Sequence, residues 1–260
     1  MKIEAGMPTL VEQPELEACC RLCRELGLCF VELNMNMPEY QLDRLDRDKL
    51  RAMAKKYGVY FTLHLDENLN VCDFNPWVAE AYQRTALEAL KLAEQCAMPI
   101  VNMHLNPGVY FTLPDRRVYL FEQYRERYLT ELEKFRDRVG LRRDVLLAVE
   151  NNDGFTSHER EGVDRLLQSP AFGLTWDIGH DAAAGGADGP FILDRKDRLR
   201  HMHIHDAKGG KNHLALGEGE LHLEEHFKWA EQLLCRCVLE TKTVEGLRSS
   251  VDYLRKRQWM

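Results

Sequence analysis

The sequence VLLAVENN at residues 145–152 is followed by EREGVDRLLQ at 159–168 and by FGLTWDIGH at 172–180. The first and third segments are short apolar runs, as expected of strands that are buried on both faces. The segment between them has apolar residues at three- and four-residue spacing among charged ones, which is typical of an amphipathic surface helix. A strand, a crossover helix and a second strand predict two parallel strands joined by a right-handed connection.

The same alternation continues in both directions along the chain. Strands are predicted at residues 2–5, 29–35, 60–66, 100–106, 145–152, 172–180, 200–207 and 236–242. Helices are predicted in the intervals, at residues 15–26, 46–56, 76–95, 116–138, 159–168, 223–234 and 244–255. Eight strand–helix units predict an α/β fold, a closed (β/α)8 TIM barrel, as a single domain over residues 1–260. A doubly wound open sheet is the alternative, but no glycine-rich dinucleotide or phosphate loop follows the first strand.

Composition and charge restrict the classes of protein that this chain resembles. With 45% hydrophobic and 30% charged residues, its 260 residues exclude collagen-like, disordered and disulfide-scaffold classes. The 35 basic and 42 acidic residues give a net charge of −7, which argues against a basic face for nucleic acid. Neither a signal-peptide pattern nor an apolar run long enough to span a membrane is present. We therefore expect the eight cysteines to be reduced and the protein to be cytoplasmic, without a membrane partner.

Histidines and acids stand at the ends of six successive predicted strands, beginning with the third. The stretches are LHLD at 63–66, NMHLN at 102–106, VENN at 149–152, WDIGH at 176–180, HMHIHD at 201–206 and LE at 239–240. In a barrel, side chains at the carboxyl ends of the strands face the active site. Burying so many polar groups together is costly unless a metal ion or a substrate engages them. Imidazole and carboxylate ligands together suit Mn²⁺, Zn²⁺, Co²⁺ or Fe²⁺, so the sequence predicts a divalent metal site.

In order and spacing, these motifs resemble those of the xylose-isomerase-like TIM-barrel superfamily, over residues 3–254. The most specific are ENN at 150–152, DIGH at 177–180, HIHD at 203–206 followed by HLALGEG at 213–219, and Glu240. That superfamily contains sugar isomerases and epimerases, inosose dehydratases and the endonuclease IV branch of abasic-site nucleases. The resemblance implies a metal centre of Glu150, Asp177, His203 and Glu240, for which Mn²⁺ is the leading candidate. Among three alternating histidines, His203 matches the ligand because it stands three residues before Asp206.

The resemblance also implies a set of residues around the metal. Candidates for binding substrate are His64, His104, Asn152, His180, Lys208 and His213. The segment 217–219, GEG, is similar to a turn of the family after the seventh strand. Its glycines would permit a close approach of the backbone to a ligand, or would simply form a loop turn.

The leading hypothesis is a metal-dependent isomerase or epimerase of a sugar or related polyhydroxy carbonyl compound, with Glu150 and Glu240 as the catalytic acid and base. The alternatives are an endonuclease IV-like abasic-site nuclease, an inosose-type dehydratase or lyase, and a non-catalytic sensor. The nuclease branch has an Asp two residues before the His of its motif after the seventh strand, where this chain has Lys211. Since basic residues are also few near the predicted mouth, a small polyol is favoured over nucleic acid. The oligomeric state is left open.

Overall fold

The computed structural model describes residues 2–141, 144–152 and 154–260. Eight parallel strands form a closed barrel, which confirms the (β/α)8 fold class. These strands, β1 to β8, are Glu4–Pro8, Phe30–Asn34, Tyr60–His64, Ile100–His104, Leu146–Glu150, Phe172–Asp177, Leu199–Ile204 and Arg236–Leu239. The barrel closes where β1 pairs with both β2 and β8.

Helices connect the strands on the outside of the barrel. They are α1 to α10, at Leu16–Glu25, Arg47–Tyr57, Pro76–Gln95, Leu120–Gln123, Arg125–Val139, Ser157–Leu166, Ile178–Ala183, Asp188–Leu193, Leu223–Gln232 and Val244–Lys256. Their buried faces carry apolar residues that pack on the strands, such as Leu90 of α3 and Leu247 of α10. No helix among the described residues is long and apolar enough to cross a membrane.

The prediction of one helix over residues 116–138 is wrong at its start. The chain there forms an antiparallel hairpin, in which Tyr110–Thr112 pairs with Arg117–Tyr119, before α4 and α5 begin. The guanidinium of Arg117 lies 4.8 Å from the centre of the Tyr110 ring, across the hairpin. Apolar residues continue at helical spacing into the second hairpin strand, so the pattern alone does not separate the two structures.

The sixth strand is shorter than predicted, because it ends at Asp177 and not at His180. The Asp177 carboxylate accepts a hydrogen bond of 2.7 Å from the His180 backbone N–H and so caps the short helix α7. The first strand also differs, since it runs from Glu4 to Pro8 and not over residues 2–5.

The barrel interior changes from apolar to polar along its axis. Phe30 is fully buried, stacks on Tyr60 at 5.1 Å and lies 6.1 Å from the ring of His201. His203 is the next inward-facing residue of β7 after His201, because side chains alternate along a strand. Phe30 therefore closes the barrel below a polar layer that opens towards the carboxyl ends of the strands.

Candidate metal centre at the barrel mouth

Four side chains from four neighbouring strands meet at the carboxyl end of the barrel. Glu150 ends β5, Asp177 ends β6, His203 lies in β7 and Glu240 directly follows β8. Each offers one ligand atom, and these four atoms lie within 4.8 Å of one another. Glu150, Asp177 and His203 are at most 2% exposed, and Glu240 is 9% exposed. The structure thus brings together the four residues that the family resemblance implied as metal ligands.

One nitrogen of His203 is the centre of this arrangement. Its Nδ1 lies 2.8 Å from Oε1 of Glu150, 3.3 Å from Oε2 of Glu240 and 3.9 Å from Oδ2 of Asp177. This nitrogen is buried without a hydrogen-bond partner, as is Nε2 of the same ring. A buried, unsatisfied donor atom facing three carboxylates fits a divalent cation, because imidazole and carboxylate suit Mn²⁺, Fe²⁺, Co²⁺ and Zn²⁺.

The charges of these groups depend on one another. Burial alone would raise the pKa of Glu150, but the imidazoles of His203 and His104 hold it well below its usual range. Burial is likewise outweighed at Glu240, whose pKa is held well below its usual range by His203 and Lys242. Burial opposes the charged form of His203, but the surrounding carboxylates raise its pKa well above the usual value. A cation that binds Nδ1 must therefore displace a proton from it.

Two more histidines converge on the other oxygen of Glu150. Nε2 of His64 lies 3.3 Å from Oε2, and Nε2 of His104 lies 3.6 Å from it. The Asn102 side-chain amide donates to the same oxygen and in turn accepts a hydrogen bond of 2.6 Å from the Thr175 hydroxyl. His64, His104 and Glu150 are themselves close enough to share a cation.

A third group surrounds Asp177 on the other side of the mouth. Nε2 of His205 lies 3.0 Å from Oδ1 of Asp177, and His205 forms a cluster with the half-buried His180 and His213. Burial lowers the pKa of His213 to about 4, so that its ring is neutral near pH 7. The Asn151 side chain holds the Asp177 backbone, donating to its carbonyl and accepting from its N–H, both at 2.9 Å.

Two of the predicted substrate-binding residues lie away from these clusters. Asn152 is exposed and lines a cavity of about 170 Å³ together with Glu150, Tyr119 and Glu159. The Lys208 side chain is 64% exposed and pairs with Glu220 at 3.1 Å, so the structure does not bring it to the centre. A larger cavity of about 400 Å³, beside α1 and α2, contains none of the clustered histidines or acids.

Sequence reasoning missed two charged residues of the site. Glu32, in the middle of β2, lies 2.8 Å from Nε2 of His203. Lys242 places Nζ 2.8 Å from Oε1 of Glu240. The signal for Glu32 was an acid inside an otherwise apolar strand, and the signal for Lys242 was a base two residues beyond a strand-end acid.

The Asp of the HIHD motif has a structural role. The Asp206 carboxylate accepts hydrogen bonds from the backbone N–H groups of Ala207, Gly217 and Leu221, at 2.9, 2.9 and 3.1 Å. A Cβ on Gly219 would lie 2.2 Å from Oδ1 of Asp206. The close backbone approach that Gly219 permits is therefore to Asp206 and not to a ligand.

Comparisons with known proteins agree with this architecture. The sequence profile of the family described as xylose isomerase-like TIM barrel matches residues 20–257. None of the curated proteins matches the sequence.

Similar solved structures share the barrel over almost its full length. A D-tagatose 3-epimerase-like protein has a TM-score of 0.77 at 19% identity, covering 98% of this chain and 97% of its own. The 3-keto-D-glucoside 4-epimerase of E. coli has a TM-score of 0.76 at 15% identity, with 98% and 100% covered. A probable 3-DHS dehydratase of Bacillus anthracis has a TM-score of 0.72 at 13% identity, with 99% and 100% covered. These likenesses show the fold, and because the family profile covers most of the sequence, the chain belongs to the xylose isomerase-like TIM barrel family.

Proposed function

We propose that this protein is a divalent-metal-dependent isomerase or epimerase of a sugar or related polyhydroxy carbonyl compound. The observation that carries the proposal is the placement of two glutamates. Glu150 ends β5 and Glu240 follows β8, with β6 and β7 between them, and both carboxylates face Nδ1 of His203. Because the two carboxylates come from separate strands at the mouth, one can remove a proton on one side of a substrate and the other can return a proton on another side. That sugar epimerases are among the similar structures supports the same reaction class.

Glu150, Asp177, His203 and Glu240 would hold the divalent cation. Mn²⁺ is the first candidate, ahead of Zn²⁺, Co²⁺ and Fe²⁺. Such an ion would polarise the substrate carbonyl and so acidify the adjacent C–H bond. One of the two glutamates removes that proton. The other returns a proton to the neighbouring carbon in an isomerase, or to the opposite face of the same carbon in an epimerase.

Both glutamates are ionised at neutral pH, so the one that returns a proton must first receive it. Lys242 lies 2.8 Å from Oε1 of Glu240, and His64 lies 3.3 Å from Oε2 of Glu150. In the metal-free protein burial opposes the charge of His64, but Glu150 raises its pKa to about 9, so that its ring carries a proton at pH 7. Each glutamate thus has a proton donor beside it.

The remaining histidines line the mouth where substrate hydroxyls would lie. We assign His104, His180 and His213 to binding hydroxyl groups, and Asn152 to the part of the substrate that enters the cavity beside Glu150.

The test is exchange of substrate hydrogen with solvent. The protein is loaded with Mn²⁺ or Co²⁺ and incubated in deuterated water with a panel of ketoses, inososes and hydroxy-keto acids. We expect deuterium at carbon in at least one sugar, and a loss of about 10²–10⁴-fold in Glu150→Gln and in Glu240→Gln. Glu220→Gln, an exposed acid that pairs with Lys208, is the matched control and should exchange at the parental rate.

Two results would count against the proposal. The first is no exchange with any compound of the panel while a metal ion is demonstrably bound. The second is exchange that survives both substitutions.

A nuclease of abasic DNA is the second candidate, because three further clusters among the described residues could each hold a cation, and two of them flank the four-ligand centre at the mouth. The third, below them, is formed by Glu32, His201 and His203. The two flanking clusters are His64, His104 and Glu150 on one side, and His180, His205 and His213 on the other. Metal analysis together with a nicking assay on an abasic duplex separates the two functions. Three ions per chain and salt-sensitive nicking would favour the nuclease, whereas one ion and no nicking would exclude it.

A dehydratase shares the first proton abstraction but expels hydroxide. The probable dehydratase among the similar structures makes this outcome worth measuring. Product analysis by mass distinguishes it, since loss of water changes the mass of the substrate and isomerisation does not.

A further inference from the structure

Glu32 lies on the inner side of His203, opposite the metal-binding cluster. The carboxylate is 2% exposed. Its Oε1 lies 2.8 Å from Nε2 of His203, and its Oε2 lies 2.8 Å from Nε2 of His201. The Thr62 hydroxyl donates to Oε2 at 2.9 Å.

The two nitrogens of His203 therefore face two different acidic groups. Among the described residues, the acid beside Nε2 is Glu32, while those beside Nδ1 are Glu150, Asp177 and Glu240. A neutral imidazole carries one proton, and an acceptor beside one nitrogen favours the tautomer with the proton there. When a cation displaces the proton from Nδ1, the carboxylate beside Nε2 favours keeping the remaining proton there, so that the lone pair at Nδ1 stays available to the cation.

We propose that Glu32 is a positioning residue for the metal centre, which sets the tautomer and orientation of His203 so that Nδ1 faces the cation. The contact between Nε2 of His201 and Oε2 holds Glu32 in place. This inference rests on the proposed metal centre. A carboxylate behind a ligating histidine both fixes the ring and raises its basicity, and such partners contribute about 10–100-fold to metal affinity.

A carboxylate suits this position because one oxygen is hydrogen-bonded to His201 and the other lies 2.8 Å from Nε2 of His203, so that neither histidine has to accept at Nε2. A glutamine of the same shape has one oxygen that accepts and one amide that donates. The histidine that faces the amide must then accept at Nε2, so its proton moves to Nδ1. Because Thr62 and His201 both contact the Oε2 position, the glutamine oxygen is expected there and its amide faces His203, so that the proton of His203 occupies the nitrogen facing the metal site.

The experiment compares Glu32→Gln with Thr62→Val. The second variant removes a neighbour of Glu32 but leaves both imidazole contacts, so it is the matched control. Co²⁺ affinity is measured by competition with a chromophoric chelator, and the absorption spectrum of bound Co²⁺ reports its coordination. We expect Glu32→Gln to weaken Co²⁺ binding about 10–100-fold and to alter the spectrum. Thr62→Val should stay within a few-fold of the parent protein.

A second readout does not depend on the variant folding. In the ¹⁵N-histidine-labelled protein loaded with diamagnetic Zn²⁺, long-range ¹H–¹⁵N spectra identify which nitrogen of His203 carries the proton. We expect a proton on Nε2 and the metal on Nδ1. A proton on Nδ1 would overturn the inference.

Other outcomes also test the proposed role of Glu32. Parental Co²⁺ affinity in Glu32→Gln, together with a lower midpoint of thermal unfolding in the metal-free state, would show a purely structural role. Two ions in the parent and one in Glu32→Gln would make Glu32 a ligand and also overturn the inference. If the parent binds no divalent cation, the proposed function fails first. If the parent binds one and Glu32→Gln binds it equally well, only the inference fails.

Discussion

His203 links the two halves of the polar interior, because each of its ring nitrogens contacts a different set of acids. Its contacts reach Glu32 below and Glu150, Asp177 and Glu240 above. Removing this ring would leave four buried carboxylates without their shared positive neighbour, at a large electrostatic cost. The residue is thus central both to folding of the interior and to any cation bound there.

His64 determines part of the pH dependence of stability in the metal-free protein. Burial opposes its charge, but Glu150 raises its pKa to about 9, above the value of about 6.5 for an unfolded chain. Because the folded pKa is the higher one, the stabilisation is complete below about pH 6.5 and is lost as the pH rises through about 9. With a chelator present, we expect the midpoint of thermal unfolding to fall across this range. The fall should be shallower in His64→Gln.

His222→Gln is the control for this experiment, since His222 is exposed. It should follow the parent curve. Equal slopes in the parent and in His64→Gln would show that the contact with Glu150 contributes nothing to the pH dependence.

At the level of single residues, the strand-end acids and histidines could be predicted from the sequence, but the residue that contacts His203 from below, Glu32, could not. Glu150, Asp177 and Glu240 could be found because each follows an apolar strand, and these ends converge in a barrel. Glu32 lies inside a strand, and period-two alternation does not say which face is the barrel interior. Its partners are on β3 and β7, far away in sequence, so only the closed barrel reveals the contact.

At the level of elements, the start of α7 shows how closely the site and the fold are connected. Gly179 lies in the first turn of this helix, and a Cβ there would be 2.0 Å from the His205 ring. His205 in turn contacts Asp177 at 3.0 Å. We expect Gly179→Ala to lower the free energy of unfolding by about 1–3 kcal/mol, the usual range for overpacking. It should also weaken binding of Co²⁺, because His205 must move.

Gly210→Ala provides the matched control, since nothing lies within 4 Å of a Cβ at that position. Urea unfolding of both variants measures the difference. Equal stability of the two variants would mean that His205 moves without cost.

The predicted elements were correct where pattern and structure are both local. The helix over residues 76–95 matches α3 at both ends, because Asn75 caps it and Pro76 begins it. The hairpin strand Arg117–Tyr119 was missed because its side chains are also compatible with a helix. Its partner strand, Tyr110–Thr112, lies outside the segment whose pattern was read as helical. The spacing of apolar residues does not determine which segments pair as strands, because pairing depends on contacts between segments.

At the level of the whole molecule, the closed barrel is what turns scattered motifs into one site. A cation that binds only the folded barrel must stabilise it by mass action, by about 2.7 kcal/mol at a concentration 100 times its Kd. For a chain of this size that corresponds to about 5–10 °C in Tm. We expect this increase when Mn²⁺ is added to chelator-treated protein, and a smaller one at low pH, where protons compete for His203.

Asp177→Asn serves as the comparison, because it removes one of the four acidic or imidazole ligands with little change of shape. The increase in Tm should be greatly reduced in this variant. An equal increase in both proteins would indicate that the ion binds elsewhere.

The buried contact between Asp206 and Gly219 has an evolutionary consequence. The carboxylate occupies the space that any side chain at position 219 would need, and it also holds three backbone N–H groups of the adjoining loop. A Cβ at position 219 would also lie 2.4 Å from the Ala207 carbonyl oxygen, so glycine should be retained there whichever residue stands at position 206. A short antiparallel hairpin pairs Asp206–Lys208 with Lys211–Leu214, and its tip at Gly209 and Gly210 has open space around it. Gly209 has a φ of +57° that favours glycine, so Gly210 is the position free to diverge. New specificities among descendants of this chain are therefore expected to arise by lengthening that tip, with the Asp–Gly pair retained beneath it.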